Sequence, residues 1–320
     1  MEQTLQSAVR AAREALGDAG ALIAPIAGHE PRFELFHAAN SICSQKVRCV
    51  LAHHQQPYVS RTVDIFVGQN YLPSYVRLRM IGCDRLGGNL VSHHSGSTSA
   101  SAGGCDGAVV PTLVDWEATQ VMVDSKRICI YLDDQAADAS KLRPAHLAGA
   151  VDEELALVDN LPNYQMLMGR PAAATDGAST NDSLRANFSR KKVALCDRYL
   201  TENADDETLV RAYAAKRAKE LSAANELFSP EAMQAAYSKA EVAVQGLERK
   251  LKRFGGAWLF PEMLTMADLF WGIELLRMEN VGAATFWNGG RLPEVERFLA
   301  AIEALPAIRA SIINWPGATF

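Results

Sequence analysis

The sequence lacks several features that mark large classes of protein. No apolar run is long enough to cross a bilayer, since Ala21-Leu22-Ile23-Ala24 is far too short, and the charged N-terminus does not resemble a signal peptide. Basic residues are not in excess, because 32 Lys and Arg stand against 37 Asp and Glu, a formal charge of −5. We therefore expect neither a membrane nor a nucleic acid as partner.

Closely spaced pairs of cysteines are also missing from the sequence. The six cysteines, at positions 43, 49, 83, 105, 129 and 196, form no CxxC motif and no Cys/His spacing suited to zinc. The adjacent His93 and His94 would seldom face one ion, because neighbours in sequence point in different directions. The pattern argues against a disulfide framework and against a metal site, and it predicts a reducing, cytoplasmic location.

Hydrophobic residues make up 48% of the 320 positions, enough to bury a core in one large domain or two ordinary ones. From residue 33 to residue 132 the patterns predict strand, helix, strand, helix, strand, strand, helix, which is the thioredoxin-like order. We expect the strands at 33–37, 60–67, 112–114 and 120–123. Residues 31–140 are therefore predicted to form an α/β domain, preceded by an N-terminal extension, 1–30, with a helix from Leu5 to Leu16.

From residue 141 onward the strand signals stop and helical spacing takes over. Thr265-Met266-Ala267-Asp268 has the cap and the acidic third residue of a capping box, which is a folding signal first. Residues 141–320 are predicted to form an all-α domain, with helices near 145–168, 189–200, 206–228, 230–253, 265–279, 293–304 and 306–313.

One cysteine is placed where chemistry is expected. Cys43 lies between the predicted strand 33–37 and a helix whose apolar stripe includes Val47, Val50 and Leu51. A helix start favours an anion, and Lys46 and Arg48 add positive charge nearby, so we expect the pKa of the Cys43 thiol to be lowered. A lone cysteine is more often a small buried hydrophobe, but this position favours reactivity.

Two further segments flank this thiol in the predicted fold. Residues 83–108, rich in Gly and Ser, are predicted to form a mobile loop beside the active site, with little packing of its own. Pro111, just before a strand, is a weak signal for a cis peptide. Ser125 is expected to cap the helix over 125–132, and its hydroxyl and nearby N–H groups could hold a small carboxylate.

These segments together resemble the glutathione transferase superfamily over residues 32–317. The resemblance rests on Val110-Pro111-Thr112-Leu113, Asp124-Ser125 and Thr265-Met266-Ala267-Asp268, in that order. The segment Ser41-Ile42-Cys43-Ser44-Gln45-Lys46-Val47-Arg48, with Tyr75-Val76-Arg77-Leu78-Arg79 and Trp315-Pro316-Gly317, is more specifically similar to the glutathione-dependent reductive dehalogenases of chlorinated hydroquinones. The 83–108 insert and the N-terminal extension depart from compact members.

The resemblance implies a role for several residues. It implies a cis peptide at Pro111, backbone contacts from Val110 to the cysteinyl part of glutathione, and contacts from Asp124 and Ser125 to the γ-glutamyl end. Ser41 would help glutathione to form or orient its thiolate, and Cys43 would be the redox residue. Two glutathiones would be consumed for each chlorine removed, with no metal or flavin, and the protein would be a homodimer.

The aromatic substrate is expected between the two domains, where ligand sites commonly form. Tyr164, Trp271 and Arg277 are candidate contacts, although each has a plain structural interpretation as a core residue or a bridge between helices. The base that would assist tautomerisation of the ring is not identifiable. Three other functions remain open: a conjugating transferase or ether-cleaving lyase in which Cys43 takes no part, a thiol-exchange enzyme that uses Cys43 only to release glutathione from quinone conjugates, and a non-catalytic ligand-binding or stress-response protein of the same fold.

Overall fold

The computed structural model describes residues 2–23, 31–98, 104–168 and 179–318. Its first half contains a five-stranded sheet with the order β1-β3-β2-β4-β5. The strands are β1 (Ala21–Ile23), β2 (Phe33–His37), β3 (Tyr58–Thr62), β4 (Thr112–Asp115) and β5 (Gln120–Val123). Strands β2 and β3 are parallel, and the other pairs are antiparallel.

Four helices pack on this sheet: α1 (Glu2–Leu16), α2 (Ile42–His53), α3 (Pro73–Arg85) and α4 (Ser125–Asp134). Helices α2 and α4 belong to one hydrophobic core, and α1 and α3 belong to another on the other face of the sheet; residues from the second half of the chain join both cores. The site described below lies where α2 begins, at the end of β2.

The N-terminal extension is part of this fold. The apolar stripe Leu5, Val9, Ala12 and Leu16 is buried against α3, as expected for an amphipathic helix. Strand β1, which the sequence pattern did not indicate, pairs antiparallel with β3. The extension therefore adds a helix and an edge strand to the sheet; residues 24–30 of the predicted extension lie outside the described residues.

The second half of the chain is helical. Its helices are α5 (Ala148–Asp159), α6 (Asn163–Met166), α7 (Ser179–Glu202), α8 (Glu207–Glu226), α9 (Pro230–Phe254), α10 (Met266–Asn280), α11 (Pro293–Ala304) and α12 (Pro306–Ile308), the last continuing as a π-helical turn to Ile313. The helix predicted over 145–168 is divided in two, because Pro162 cannot continue the first part. The predicted boundary at residue 140 falls between α4 and α5.

Three local predictions need correction. The strand predicted over 60–67 ends at Thr62 and gives way to a turn in which Gly68 has a φ of 83°. Asp124, rather than Ser125, caps α4, since its side chain accepts from Arg127 N at 3.1 Å. The insert packs far more than its composition suggested: His94, Ser97, Cys105 and Asp106 are all buried. Residues 99–103 of the insert lie outside the described part of the chain.

Candidate active site

Cys43 sits in the first turn of α2, at the strand-to-helix junction that the sequence predicted. Ser41 caps this helix, because its side-chain oxygen accepts from the backbone N–H of Ser44 at 3.4 Å. The Cys43 side chain is almost entirely buried, with 7% of its surface exposed. The helix start thus holds the thiol at the edge of the interior, two residues after the Ser41 cap.

The predicted lowering of the thiol pKa is wrong for this structure. Burial raises the pKa of Cys43, and the positive charge of Lys46 offsets only part of that effect. Lys46 is itself buried, with its ammonium 2.8 Å from the carboxylate of Asp159, which acts on the thiol in the opposite direction. The charge that the sequence placed beside Cys43 is therefore largely neutralised.

The other polar residues of this segment join the two halves of the chain. The amide of Gln45 donates to the carbonyl of Ala318 at 2.8 Å. The guanidinium of Arg48 donates to the carbonyl of Ser311 at 3.0 Å and lies 4.6 Å from the centre of the Trp315 ring. Most of the segment that made the resemblance specific thus docks the helical half onto α2, and only its first residues face the site.

A narrow cleft brings together five of the predicted site residues. Cys43, Val110, Pro111, Asp124 and Ser125 all line it, and the Val110–Pro111 peptide is cis. Their individual roles stay predictions, but the structure brings them together although they come from separate segments of the sheet domain.

Arg79 is a member of this cleft that the sequence did not single out for a role. It is buried, and its guanidinium donates to the carbonyls of Pro111 and Asp106. It also donates to the hydroxyl of Thr112 at 3.0 Å. Arg79 therefore fixes the turn before β4 against the insert. Its position within Tyr75-Val76-Arg77-Leu78-Arg79, one of the segments behind the resemblance, was the available signal.

The insert lies directly on the thiol. Cys43 Sγ is 3.7 Å from the hydroxyl oxygen of Thr98, and Cys105 and Asp106 line the same cleft. Ser97 and Gly96 attach this part of the insert to the helical half, through the carbonyl of Asp159 and the N–H of Tyr164. The cleft measures about 20 Å³, so it is closed to anything much larger than water.

A larger cavity of about 760 Å³ opens beside the cleft and shares Cys43 with it. Ser41, Cys43 and Val110 line it from the sheet domain, and Tyr164, Lys192 and Arg277 line it from the helices. This volume is in the range of pockets that hold small organic ligands. Tyr164 and Arg277, two of the three predicted substrate contacts, thus face the cavity.

Trp271, the third predicted contact, does not line this cavity. It is fully buried in α10, and its indole N–H donates to the carboxylate of Glu154 at 3.0 Å. Trp271 is therefore a core residue, because the face of α10 that carries it packs against α5. Arg277 lies further along α10, and its guanidinium donates to the carbonyl of Asn40 just before Ser41.

Three lysines of the cavity were missed by sequence analysis. Lys192 comes from α7, and Lys216 and Lys219 come from α8. Lys216 and Lys219 each lie 2.9 Å from the same carboxylate oxygen of Asp106. Glu220 is 3.0 Å from Lys216 and 3.4 Å from Lys192. We call these three lysines and two carboxylates the lysine wall. The i, i+3, i+4 spacing of Lys216, Lys219 and Glu220 was the only sequence signal for it.

Two polar side chains at the cavity have unpartnered atoms among the described residues. Tyr71 is buried and lines the cavity, and its hydroxyl makes no hydrogen bond there. Asn70 donates through its amide to the carbonyl of Ala108 at 2.7 Å, but its side-chain oxygen has no partner. The cavity thus contains an unused donor and an unused acceptor close to the lysine wall.

The described residues contain no group of three or more His, Cys, Asp and Glu side chains that could hold a metal ion. In the same part of the chain, every helix is too short or too polar to cross a membrane.

Comparison with known proteins places this site in a family. Residues 40–135 match the family model of the glutathione S-transferase N-terminal domain. Two curated relatives, 2,5-dichlorohydroquinone reductive dechlorinases from two strains of Sphingobium indicum, are 38% identical over 294 residues, which cover 90% of this chain and 84% of each relative.

Solved structures of low sequence identity share the fold. The beta-etherase LigF from Sphingobium sp. strain SYK-6 has a TM-score of 0.55 at 16% identity, covering 88% of this chain and 98% of its own. A glutathione S-transferase from Methylobacillus flagellatus KT, solved with GSH bound, has a TM-score of 0.50 at 15% identity, covering 87% and 98%. The sequence identity to the Sphingobium proteins extends over 90% of this chain, and the thioredoxin-like sheet and the helical second half agree with it. The chain therefore belongs to the glutathione transferase superfamily.

Proposed function

We propose that this protein is a glutathione-dependent reductive dehalogenase of chlorinated hydroquinones, with Cys43 as its redox residue. The observation that carries the proposal is that Cys43 belongs to both the narrow cleft and the 760 Å³ cavity. The cleft supplies the residues expected to hold glutathione, and the cavity has room for an aromatic ring. The relatedness to proteins that act on 2,5-dichlorohydroquinone supports the choice of substrate class.

The proposed reaction has two stages, and Cys43 acts in the second. In the first, a glutathione thiolate adds to the chlorine-bearing carbon of the keto tautomer of the ring, and chloride leaves, so that one C–S bond replaces one C–Cl bond. In the second, the Cys43 thiolate attacks the sulfur of this conjugate. The ring carbon leaves with the electron pair of the C–S bond and takes up a proton, and Cys43 is left in a mixed disulfide with glutathione.

A second glutathione thiolate then attacks the mixed disulfide, releasing glutathione disulfide and restoring the Cys43 thiolate. The ring has gained two electrons, and two glutathione sulfurs have lost one each. The balance therefore requires two glutathiones for each chlorine removed, and no electron source beyond them.

The chain's own residues have four tasks in this scheme. Val110, Asp124 and Ser125 would hold glutathione along the cleft, and Ser41 would orient its thiolate toward the cavity. Cys43 must be deprotonated to react, although burial raises its pKa in the free protein. The insert must also move off the thiol, because a tripeptide cannot enter a cleft of this size.

A transferase or lyase of the same fold is the second candidate. The observation in its favour is the raised pKa of Cys43, which leaves the thiol protonated in the free protein and therefore a poor nucleophile. In that case Ser41 would activate glutathione, and Cys43 would only pack at the domain interface.

The decisive experiment is mass spectrometry of the protein and its products after incubation with glutathione and 2,5-dichlorohydroquinone without oxygen. We expect the wild type to release chloride and a less chlorinated hydroquinone, and Cys43→Ser to accumulate the glutathionyl-hydroquinone. Cys49→Ser is the matched control, because Cys49 is also buried in α2 but lines neither cavity. If wild type and Cys43→Ser both stop at the conjugate, the protein is a transferase.

Assembly and location are part of the proposal. We expect a cytoplasmic homodimer, from the resemblance and from the cysteine pattern. Light scattering on the purified protein would measure the oligomeric state directly, and a monomeric mass would contradict the first expectation.

A further inference from the structure

The lysine wall carries more positive than negative charge. Lys192, Lys216 and Lys219 supply three ammonium groups, whereas Asp106 and Glu220 supply two carboxylates. One carboxylate oxygen of Asp106 serves two lysines at once, so the wall is not a set of separate ion pairs. Arg277, which also lines the cavity, adds a further positive charge. The described lining of the cavity therefore faces its interior with a surplus of positive charge.

Such a surplus is costly where water is scarce. The side chains of Lys216 and Lys219 are 4% and 7% exposed, and both carboxylates are fully buried. A buried charge without a full partner destabilises the fold unless an anion joins it. His94, which also lines the cavity, does not change this balance of charge. Burial lowers its pKa to about 2, so its imidazole stays neutral.

Lys192 is the lysine best placed to meet a ligand. Its ammonium is 3.4 Å from Glu220, the longest contact in the wall, and its side chain keeps 20% of its surface exposed. It lies 4.5 Å from the ring centres of both Tyr164 and Phe188 and donates to the hydroxyl of Tyr164 at 2.9 Å. Tyr71 lines the same cavity, and its buried hydroxyl, which has no partner among the described residues, can donate a hydrogen bond.

We propose that the lysine wall binds a negatively charged oxygen of the aromatic substrate, with Lys192 as its counter-cation and Tyr71 as a hydrogen-bond donor. This inference rests on the proposed function and names the feature of the substrate that the site selects: a ring bearing a phenolate or a carboxylate. The rest of the ring then extends into the cavity, whose lining includes Cys43.

Binding of a phenolate oxygen would also assist tautomerisation of the ring, the step for which the sequence identifies no base. The hydroquinone and its keto tautomer share one anion, which forms when the hydroxyl loses its proton and which gives the keto form when a ring carbon takes up a proton. An ammonium and a hydroxyl donor next to that oxygen stabilise the shared anion, since charge-assisted hydrogen bonds are stronger than neutral ones. Lys192 and Tyr71 are thereby positioning residues for the first stage of the reaction.

Calorimetric titration in the absence of glutathione tests the inference without turnover. The ligands are 2,5-dichlorohydroquinone and its dimethyl ether, which cannot carry the charge. We expect the wild type to bind the hydroquinone at least about tenfold more tightly than the ether, the size of one charge-assisted hydrogen bond. Lys192→Met should abolish this preference, Tyr71→Phe should reduce it, and Lys192→Arg should retain most of it. Lys191→Met, an exposed neighbour on α7, is the control.

Each outcome has a definite meaning. A dichlorinated gentisate distinguishes the two sources of charge: if its affinity falls more in Lys192→Met than that of the hydroquinone, the bound oxygen belongs to a carboxylate. An unchanged preference in Lys192→Met overturns the inference, as does an equal affinity of the wild type for the hydroquinone and its ether. Because Cys43→Ser should keep the preference for the hydroquinone, a failure of the redox chemistry and a failure of this binding site give different results.

Discussion

The two sides of the cavity are built in different ways. The sheet side presents a thiol, a helix cap and the Val110–Pro111 turn, and its one nearby ammonium, Lys46, is paired with a single carboxylate. The helical side presents three lysines that share two carboxylates. The ammonium of the sheet side therefore has a carboxylate of its own, whereas the helical side has one ammonium more than it has carboxylates. The proposed reaction uses both sides: the sheet side supplies the cysteine that reacts, and the helical side supplies the charge that holds the ring oxygen.

The largest expected effect comes from removing a carboxylate of the lysine wall. Asp106→Asn keeps the acceptor that binds the N–H of Ala108 but leaves Lys216 and Lys219 with one buried charge partner fewer. We expect the free energy of unfolding to fall by about 3–5 kcal/mol, measured by urea denaturation. Asp138→Asn, at an exposed ion pair with Lys141, is the control and should behave as wild type. If the two variants are equally stable, water and not Asp106 solvates the ammonium groups of Lys216 and Lys219, and the prediction is wrong.

A smaller effect is expected at Glu274, which lies in α10 near Lys46 and Arg277. Burial raises the pKa of Glu274 to about 7, so the folded protein holds this proton more tightly than the unfolded chain does. The stability that results is present below the ordinary glutamate pKa and is lost as the pH rises to about 7.

Glu274→Gln should therefore flatten the pH dependence of unfolding. Between pH 5 and pH 8 we expect the wild type to lose about 3 kcal/mol more than the variant, from a rise of roughly two to three pKa units. Urea denaturation at several pH values measures the difference, and other titrating groups cancel because both proteins contain them. Parallel curves for the two proteins would contradict the assignment.

The smallest effect concerns the sheet side alone. Lys46 lowers and Asp159 raises the pKa of the Cys43 thiol. Lys46→Met should therefore raise this pKa further, and Asp159→Asn should lower it. The pH dependence of Cys43 alkylation by iodoacetamide, followed on the isolated peptide, reports both. Shifts in the same direction would show that loosened packing, and not charge, governs the thiol.

The sheet side was far more accessible to prediction than the helical side. Cys43, the Val110–Pro111 turn and Asp124-Ser125 stand in short segments whose local pattern already indicates a strand end or a helix start. The lysine wall depends on contacts between residues about a hundred positions apart, such as Lys216 with Asp106, 110 positions away. No local pattern indicates which carboxylate a lysine will meet.

Three of the differences between prediction and structure share that cause. The charge of Lys46 is visible in the sequence, but its partner Asp159 is 113 positions further on, so the thiol was expected to be more acidic than it is. Trp271 and Arg277 stand on one helix, and only the packing of α10 against α5 shows which of them reaches the cavity. Strand β1 is three residues long and owes its existence to its pairing with β3.

The contact between Thr98 and Cys43 affects the rate at which the thiol can be reached as well as the affinity of what binds there. A reagent that approaches through the narrow cleft must wait for that contact to break, whereas the 760 Å³ cavity offers a second route to the thiol. On the cleft route, the rate at low concentration is the product of an opening equilibrium and the reactivity of the exposed thiol, and at high concentration it reaches a ceiling set by opening alone. Opening of the insert thus limits how fast the thiol reacts by this route, and glutathione would have to promote that opening when it binds.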